Sequence, residues 1–375
     1  MTLVRAAVLV RSGDSGPYSQ TRPIEIQELN LAAPGPGELR VAIKAAGLCH
    51  SDLSVINGDR PRPVPIALGH EAAGEVVELG PGVTDFALGD RVVLAFVPSC
   101  GECPKCLSGR AALCEPGAAA NTAGTLLGGE RRWSTADGDP VNHHLGVSAF
   151  AEQVVVSERS AVPIPDELPY EVAAVFGCAA LTGAGAALNA ADISPGQTVA
   201  VFGLGGVGLA AVMGAKLAGA GTVLAIDPIA AKRQLAMDLG AAHTFPGDLD
   251  TVSAIRELTG GGADRAIETV GSARVLESAY AATGRGGTTV TVGLPNPDQR
   301  LDIQAVSLVA EEKTIRGSYL GSADPREMLP LLFAHWTAGN LPVEKLISHR
   351  ITLDEINEGF DRLASGEAVR QIIKA

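Results

Sequence analysis

The rhythm of hydrophobic positions changes near residue 179. Before it, short alternating stretches predominate. ELRVAIKA (38–45) sets Leu39, Val41, Ile43 and Ala45 on one face against Glu38, Arg40, Ala42 and Lys44 on the other, which predicts a half-buried strand after the GPG turn. HEAAGEVVELGPGV and GDRVVLAFV predict further short strands separated by glycine turns. Residues 115–146 show no period and read as a long polar loop. Beyond 179 the apolar runs become continuous and regularly spaced. TVAVFG (198–203) and TVLAID (222–227) predict buried strands, the first followed by a helix of small residues to about 218, the second by the helix AAKRQLAMDLG, closed by Gly240. AHTF, DRAIETVG, GTTVTVGLP and KTIRGSYL continue the series. Alternation of strand and helix in this manner predicts a parallel sheet with right-handed crossovers. The tail from PREMLPLLFAHWTAGNL onward predicts a helix, a short strand and another helix.

Composition narrows the class of protein. The 375 residues are 46% hydrophobic and only 4% aromatic, with 45 glycines, which suits an α/β chain of two domains with many tight turns. A formal charge of −13 argues against nucleic acid as a partner. Two segments, 172–191 and 193–215, carry no charged side chain, but their Gly, Thr, Asn, Pro and Gln content argues against membrane spans. The N-terminus lacks an export-signal pattern, since Arg5 interrupts its short apolar run. A cytoplasmic location is therefore expected, where thiols stay reduced.

Three groups of residues suggest chemistry. GLGGVG places Gly203, Gly205 and Gly208, with Gly206 and Val207 in the same loop, between a buried strand and a helix. That context predicts a dinucleotide pyrophosphate at the helix N-terminus. Asp227 ends the next strand, where an acid accepts ribose hydroxyls and repels a 2′-phosphate, so NAD is expected rather than NADP. Cys100, Cys103, Cys106 and Cys114 offer four soft donors within one loop. A saturated four-thiolate zinc site is structural, because no position is left for water. A disulfide or a redox C-x2-C pair is the lesser alternative in a reducing compartment. Cys49, His70 and Cys178 leave room for a three-ligand catalytic zinc, and two buried core cysteines with a satisfied histidine remain the plain alternative.

GLCHSD, GHEAAG, the four-cysteine loop, GCAALTG, GLGGVG and the Asp227–Lys232 pair occur in an order and spacing that resembles the zinc-dependent medium-chain alcohol dehydrogenases, essentially end to end. The likeness is to the longer type that includes class I and the class III, glutathione-dependent formaldehyde dehydrogenases. It implies a GroES-like β-barrel catalytic domain (1–178 and 323–375, with the structural zinc lobe at about 97–116) and a doubly wound Rossmann domain (179–322). It also implies roles by position. Cys49, His70 and Cys178 match the catalytic zinc ligands, and Glu71 a carboxylate that visits the metal during ligand exchange. Asp52 matches the acid that orients the ligand histidine, and Ser51 the hydroxyl that takes the alcohol proton. Thr182 matches a nicotinamide contact, Lys232 a ribose contact, and His50 and Arg370 pyrophosphate contacts. Two zinc ions per chain, NAD and a small alcohol or aldehyde are implied, in a homodimer with a tetramer as the alternative. The implied activity is reversible, zinc-dependent oxidation of an alcohol to an aldehyde or ketone by hydride transfer to NAD. The alternatives are oxidation of an S-hydroxymethyl thiol adduct and, remotely, a non-catalytic NAD(H)-binding protein. Ser54 departs from the histidine that ends the proton relay in several members. His143 and His144 read as loop residues rather than ligands, and Arg60 and Arg62 as solvated side chains.

Overall fold

The computed structural model describes residues 1–96 and 98–374, so Val97 in the expected zinc lobe and Ala375 at the end of the expected catalytic domain lie outside the described residues. The chain divides into two compact units. The first comprises Met1–Cys178, Asp324–Ala334 and Val343–Ala375, and the second Ala179–Ala323 with His335–Pro342. Ala323 and residues 335–342, expected in the catalytic domain, thus group with the second unit. The helix Pro325–Thr337 runs across the division. Its Phe333 packs edge-on against Phe176 of the first unit, with ring centroids 5.1 Å apart, and its final residues cluster elsewhere. An apolar pattern tells that such a helix is buried, but not in which core.

The first unit contains a closed five-stranded barrel (Thr2–Leu9, Ile24–Leu31, Trp133–Ser134, Pro140–His143 and Ile66–Ala67) and a larger mixed sheet. Glu38–Leu48 is the hub of that sheet. It pairs antiparallel with Glu71–Leu79, Gln153–Ser157 and the final strand Arg370–Lys374. This neighbourhood corrects the expectation of a half-buried strand, because Glu38 and Arg40 are buried as well. Their charges are matched: Arg132 Nε lies 2.8 Å from Glu38, and Arg40 Nε 3.0 Å from Glu78. The segment 115–146 is likewise more ordered than expected. It forms the helix Glu115–Ala123 and the two barrel strands Trp133–Ser134 and Pro140–His143.

The second unit is a six-stranded parallel sheet: β1 (Thr198–Phe202), β2 (Thr222–Ile226), β3 (His243–Phe245), β4 (Ala263–Glu268), β5 (Thr283–Thr291) and β6 (Thr314–Gly317). The spatial order is β3-β2-β1-β4-β5-β6, the doubly wound arrangement whose switch point lies between β1 and β4. Ala200 and Phe202 of β1, Leu224 and Ile226 of β2 and Ala266 of β4 pack with Ile255 and Ala279 of the crossover helices in one core. A helical run over Tyr170–Ala190 is long and apolar enough to cross a membrane, but 89% of its apolar window is buried inside the protein, as a core helix requires.

Candidate active site and metal centres

Cys49 ends the hub strand's segment and caps the helix His50–Ile56, whose first turn turns Asp52 inward to full burial. His70 and Glu71 open the neighbouring strand, and Cys178 closes the first unit's opening segment. The Sγ atoms of Cys49 and Cys178 and a ring nitrogen of His70 lie within 4.8 Å of one another, all three residues buried. The two sulfurs are 3.9 Å apart, and no disulfide joins them. Two sulfurs at zinc–thiolate distance and tetrahedral angle are about 3.8 Å apart, so the spacing fits one shared ion. His70 is oriented for the same purpose. Its Nδ1 is 3.1 Å from Asp52 Oδ1, while its buried Nε2 has no hydrogen-bond partner among the described residues. A ligating histidine is typically held in this manner, by a carboxylate on the nitrogen that does not bind metal. The thiol of Cys178 beside Cys49, with His70 and Arg370 nearby, holds Cys49 well below the ordinary thiol range despite its burial.

Glu71 lies over Gly47, where an added Cβ would fall 2.6 Å from Glu71 Oε1, so glycine makes the space for this carboxylate. Neither Glu71 oxygen has a hydrogen-bond partner among the described residues, and burial pushes the group up to about 7. Its counter-charge is Arg370, 3.3 Å away, which also donates to the Leu48 carbonyl at 2.8 Å. Arg370, expected at the pyrophosphate, therefore has a buried partner in the first unit that sequence reasoning did not name. Ser51 is half-buried, and the Ser54 hydroxyl donates to the Ser51 carbonyl at 3.0 Å. His50 is exposed at the start of its helix.

The sulfurs of Cys100, Cys103, Cys106 and Cys114 also converge within 4.8 Å, with no disulfide among them. Backbone N–H groups aim at these sulfurs: Cys103 N–H at Cys100 (3.3 Å), and Cys100 and Gly117 N–H at Cys114 (3.2 and 3.3 Å). Donors of this kind stabilise thiolate charge, which a four-sulfur metal site concentrates.

In the second unit, Gly203 takes φ +88°, and a Cβ on Gly208 would fall 1.7 Å from the Gly203 carbonyl, so the loop closes this tightly only with glycine at both. A Cβ on Gly205 would meet nothing within 4 Å, which leaves its face open for a phosphate at the start of the helix Gly206–Leu217, whose first turn holds Val207. Asp227 follows β2 and accepts the N–H groups of Leu204 and Ile229, each at 2.8 Å. Its carboxylate is pinned beside the glycine loop with lone pairs to spare. Burial lowers Lys232, against the opposing charge of Asp227. Thr182 is buried and its hydroxyl has no partner among the described residues.

The donor sets fit zinc, and the glycine loop fits a dinucleotide. The alcohol dehydrogenase GroES-like domain family matches residues 35–166, and the zinc-binding dehydrogenase family residues 206–334. An NDMA-dependent alcohol dehydrogenase of Amycolatopsis methanolica is 39% identical over 368 residues, covering 95% of this chain and 96% of the relative. Alcohol dehydrogenase B of Mycobacterium tuberculosis is 37% identical over 358 residues, with 94% and 95% covered. The chain belongs to the zinc-dependent medium-chain alcohol dehydrogenase family. Among solved members, the benzyl alcohol dehydrogenase of Acinetobacter calcoaceticus superposes with a TM-score of 0.90 at 32% identity, covering 100% of this chain and 99% of that one.

His143 and His144 were expected as loop residues rather than ligands; His143 instead ends the strand Pro140–His143, His144 follows it in a bend, and both are buried. His143 accepts the Arg132 N–H at 3.0 Å, and burial with Arg131 and Arg132 nearby pushes it down to about 3. His144 stands against Asp52 and His70. Burial, with His70, Arg62 and Arg60 as neighbouring charges, holds it well below the usual imidazole range. Arg60 and Arg62 are half-buried rather than solvated. The signal that reveals these placements is three-dimensional: adjacent histidines in a glycine-rich stretch have no period to betray burial.

Proposed function

We propose that this dehydrogenase catalyses the NAD-linked, reversible oxidation of an alcohol to an aldehyde or ketone. The observation that carries the reading is the convergence of Cys49, Cys178 and His70, with sulfurs 3.9 Å apart and the His70 Nε2 without a hydrogen-bond partner among the described residues. Cys49, His70 and Cys178 would hold one zinc, and Cys100, Cys103, Cys106 and Cys114 a second, structural one. When bound, the metal supplies Lewis-acid polarisation of the alcohol oxygen, and the nicotinamide supplies the hydride acceptor. The chain's own residues do the rest. Asp52 keeps the Nδ1–H of His70 engaged, so that Nε2 presents its lone pair. Ser51 Oγ takes the proton from the alcohol. The Ser54 hydroxyl is committed to the Ser51 carbonyl, so the proton's onward path runs through water or another group. Glu71, with Arg370 as counter-charge, stands ready beside the ligands. The glycine loop Gly203–Gly208 and the Asp227 carboxylate favour NAD, and Thr182, whose hydroxyl has no partner among the described residues, is offered to the nicotinamide.

The test is NADH formation across primary, aromatic and secondary alcohols, with and without a low-molecular-weight thiol and with and without NDMA, and with zinc counted in the same preparation. Turnover of simple alcohols without thiol, with about two zinc ions per chain, is expected. Turnover only of formaldehyde with thiol would replace the substrate class by an S-hydroxymethyl adduct. Turnover seen only with NDMA would point to a dinucleotide that does not exchange freely. Full activity retained by Cys49→Ser would remove the catalytic-metal reading.

A further inference from the structure

His144 belongs to no ligand set proposed above, yet a nitrogen of its ring lies within 4.8 Å of an Asp52 oxygen and a nitrogen of His70. Asp52 is wholly buried, and its Oδ1 accepts the Gly69 N–H and faces His70 Nδ1, each at 3.1 Å. Its Oδ2 is also 3.1 Å from His70 Nδ1 and has no other partner among the described residues. A buried carboxylate is tolerated only when its lone pairs are filled. His144 Nε2 is 3.4 Å from Asp52 Oδ1, a few tenths of an ångström beyond hydrogen-bond length, and neither of its ring nitrogens has a partner among the described residues. The ring stands edge-on to His70, with centroids 5.7 Å apart.

The backbone that carries His144 is held with unusual firmness. Leu145 and Ser148 adopt φ of 52° and 55°, and Gly146 71°. Non-glycine residues persist in that left-handed region only where surrounding contacts enforce it. Here the His144 N–H donates to Ser148 Oγ (2.9 Å), the N–H groups of Val147 and Ser148 donate to the His144 carbonyl (3.0 and 3.2 Å), and the Leu145 N–H donates to Asn121 Oδ1 (3.1 Å). A strained turn, with the N–H groups of His144, Leu145, Val147 and Ser148 all bonded, thus delivers one imidazole to one carboxylate.

We propose that His144 is a positioning residue of the three-ligand site: its Nε2–H closes on Asp52, and Asp52 in turn holds His70 with Nε2 toward Cys49 and Cys178. The inference rests on the zinc reading proposed above. It separates a donor role from mere filling of space, because an apolar side chain of similar size fills the space and leaves Asp52 short of a donor.

The test compares His144→Leu, which keeps volume, with His144→Gln, whose Nε2–H reaches a similar point. Full-length proteins are loaded with zinc, counted, and followed as a colorimetric chelator removes the metal. Cobalt-loaded samples are compared by visible absorption. In His144→Leu, one zinc is expected to leave at least about tenfold faster, with shifted cobalt bands, while the other leaves at the wild-type rate. His144→Gln is expected to restore both readouts. If His144→Leu does not fold, Ser148→Ala, which releases the turn, carries the same expectation for metal release. An unchanged release rate in His144→Leu overturns the proposal, and so does equal acceleration in both His144 variants, which indicates packing alone. A wild-type chain that binds only one zinc removes the three-ligand site and the functional reading together, an outcome visible before any variant is made.

Discussion

Burial decides what the individual residues can do. His143 is neutral in the folded chain, accepts a backbone N–H through Nε2 and is held near 3 by burial, whereas a free imidazole titrates near 6.5. Between those values the unfolded chain binds a proton that the folded chain refuses, so stability is present above about pH 6.5 and is lost as pH falls toward 3. His143→Gln keeps a polar group without that titration. Its urea midpoint is expected to fall less steeply than wild type between pH 6.5 and 4, and parallel curves would refute the assignment. Asp227 gives a second prediction at this scale. Asp227→Gly removes the carboxylate pinned by Leu204 and Ile229, so NAD should bind about tenfold or more weakly while NADP improves; equilibrium titration of both cofactors checks it. These candidate roles were legible because they travel with local signatures: cysteines at metal spacing, glycines between a strand and a helix, an acid at a strand's end. His144 and the Glu71–Arg370 pair were not, because their meaning arises from contacts between residues that the sequence holds far apart.

At the scale of elements, continuous apolar runs gave away the strands β1 and β2, and glycine marked where their helices begin or end. The alternating pattern of Glu38–Leu48 misled only at its start, where Glu38 and Arg40 are buried as ion pairs, while Lys44 on the same face stays exposed. The helix Glu115–Ala123 was hidden because its N-cap is Cys114, whose sulfur accepts the Gly117 N–H, a cap outside the usual serine, threonine, aspartate and asparagine. The same sulfur belongs to the four-cysteine cluster, so a metal held there would share one atom with the helix cap. Between Cys100 and Cys114 the backbone has only the short turns Pro104–Leu107 and Ala111–Leu113, with Leu107 exposed. Chelation of the metal is therefore expected to open this loop. Limited proteolysis should cut within 100–114 in the chelated protein, well before the parallel sheet yields, and resistance equal to the loaded protein would show that the cluster does not pin the loop.

At the scale of the whole molecule, two cores were legible from the change of rhythm near 179, whereas the return of the chain to the first core came only from the family resemblance and not from the pattern itself. The final strand Arg370–Lys374 is too short to announce itself, and it matters because it pairs with both Glu38–Leu48 and Ile347–Ile351. Deleting it leaves a sheet edge open and Glu71 buried without Arg370, a loss of about 3 kcal/mol or more. Amide exchange across Glu38–Leu48 should then lose protection while β1 and β2 keep theirs, and unchanged protection would refute the coupling. The same strand sets an order of events during synthesis. The second unit is complete in sequence by Pro342, ahead of the last strand of the first, and a domain folds as its residues emerge. On the ribosome, the inserted unit can thus finish while the unit that began the chain still waits for its closing strand. Cys49, His70 and Cys178 have all been made by then, but Arg370, which balances the neighbouring Glu71, follows the second unit's last residue in sequence. A metal bound before Arg370 is made would therefore sit beside a Glu71 that still lacks its counter-charge.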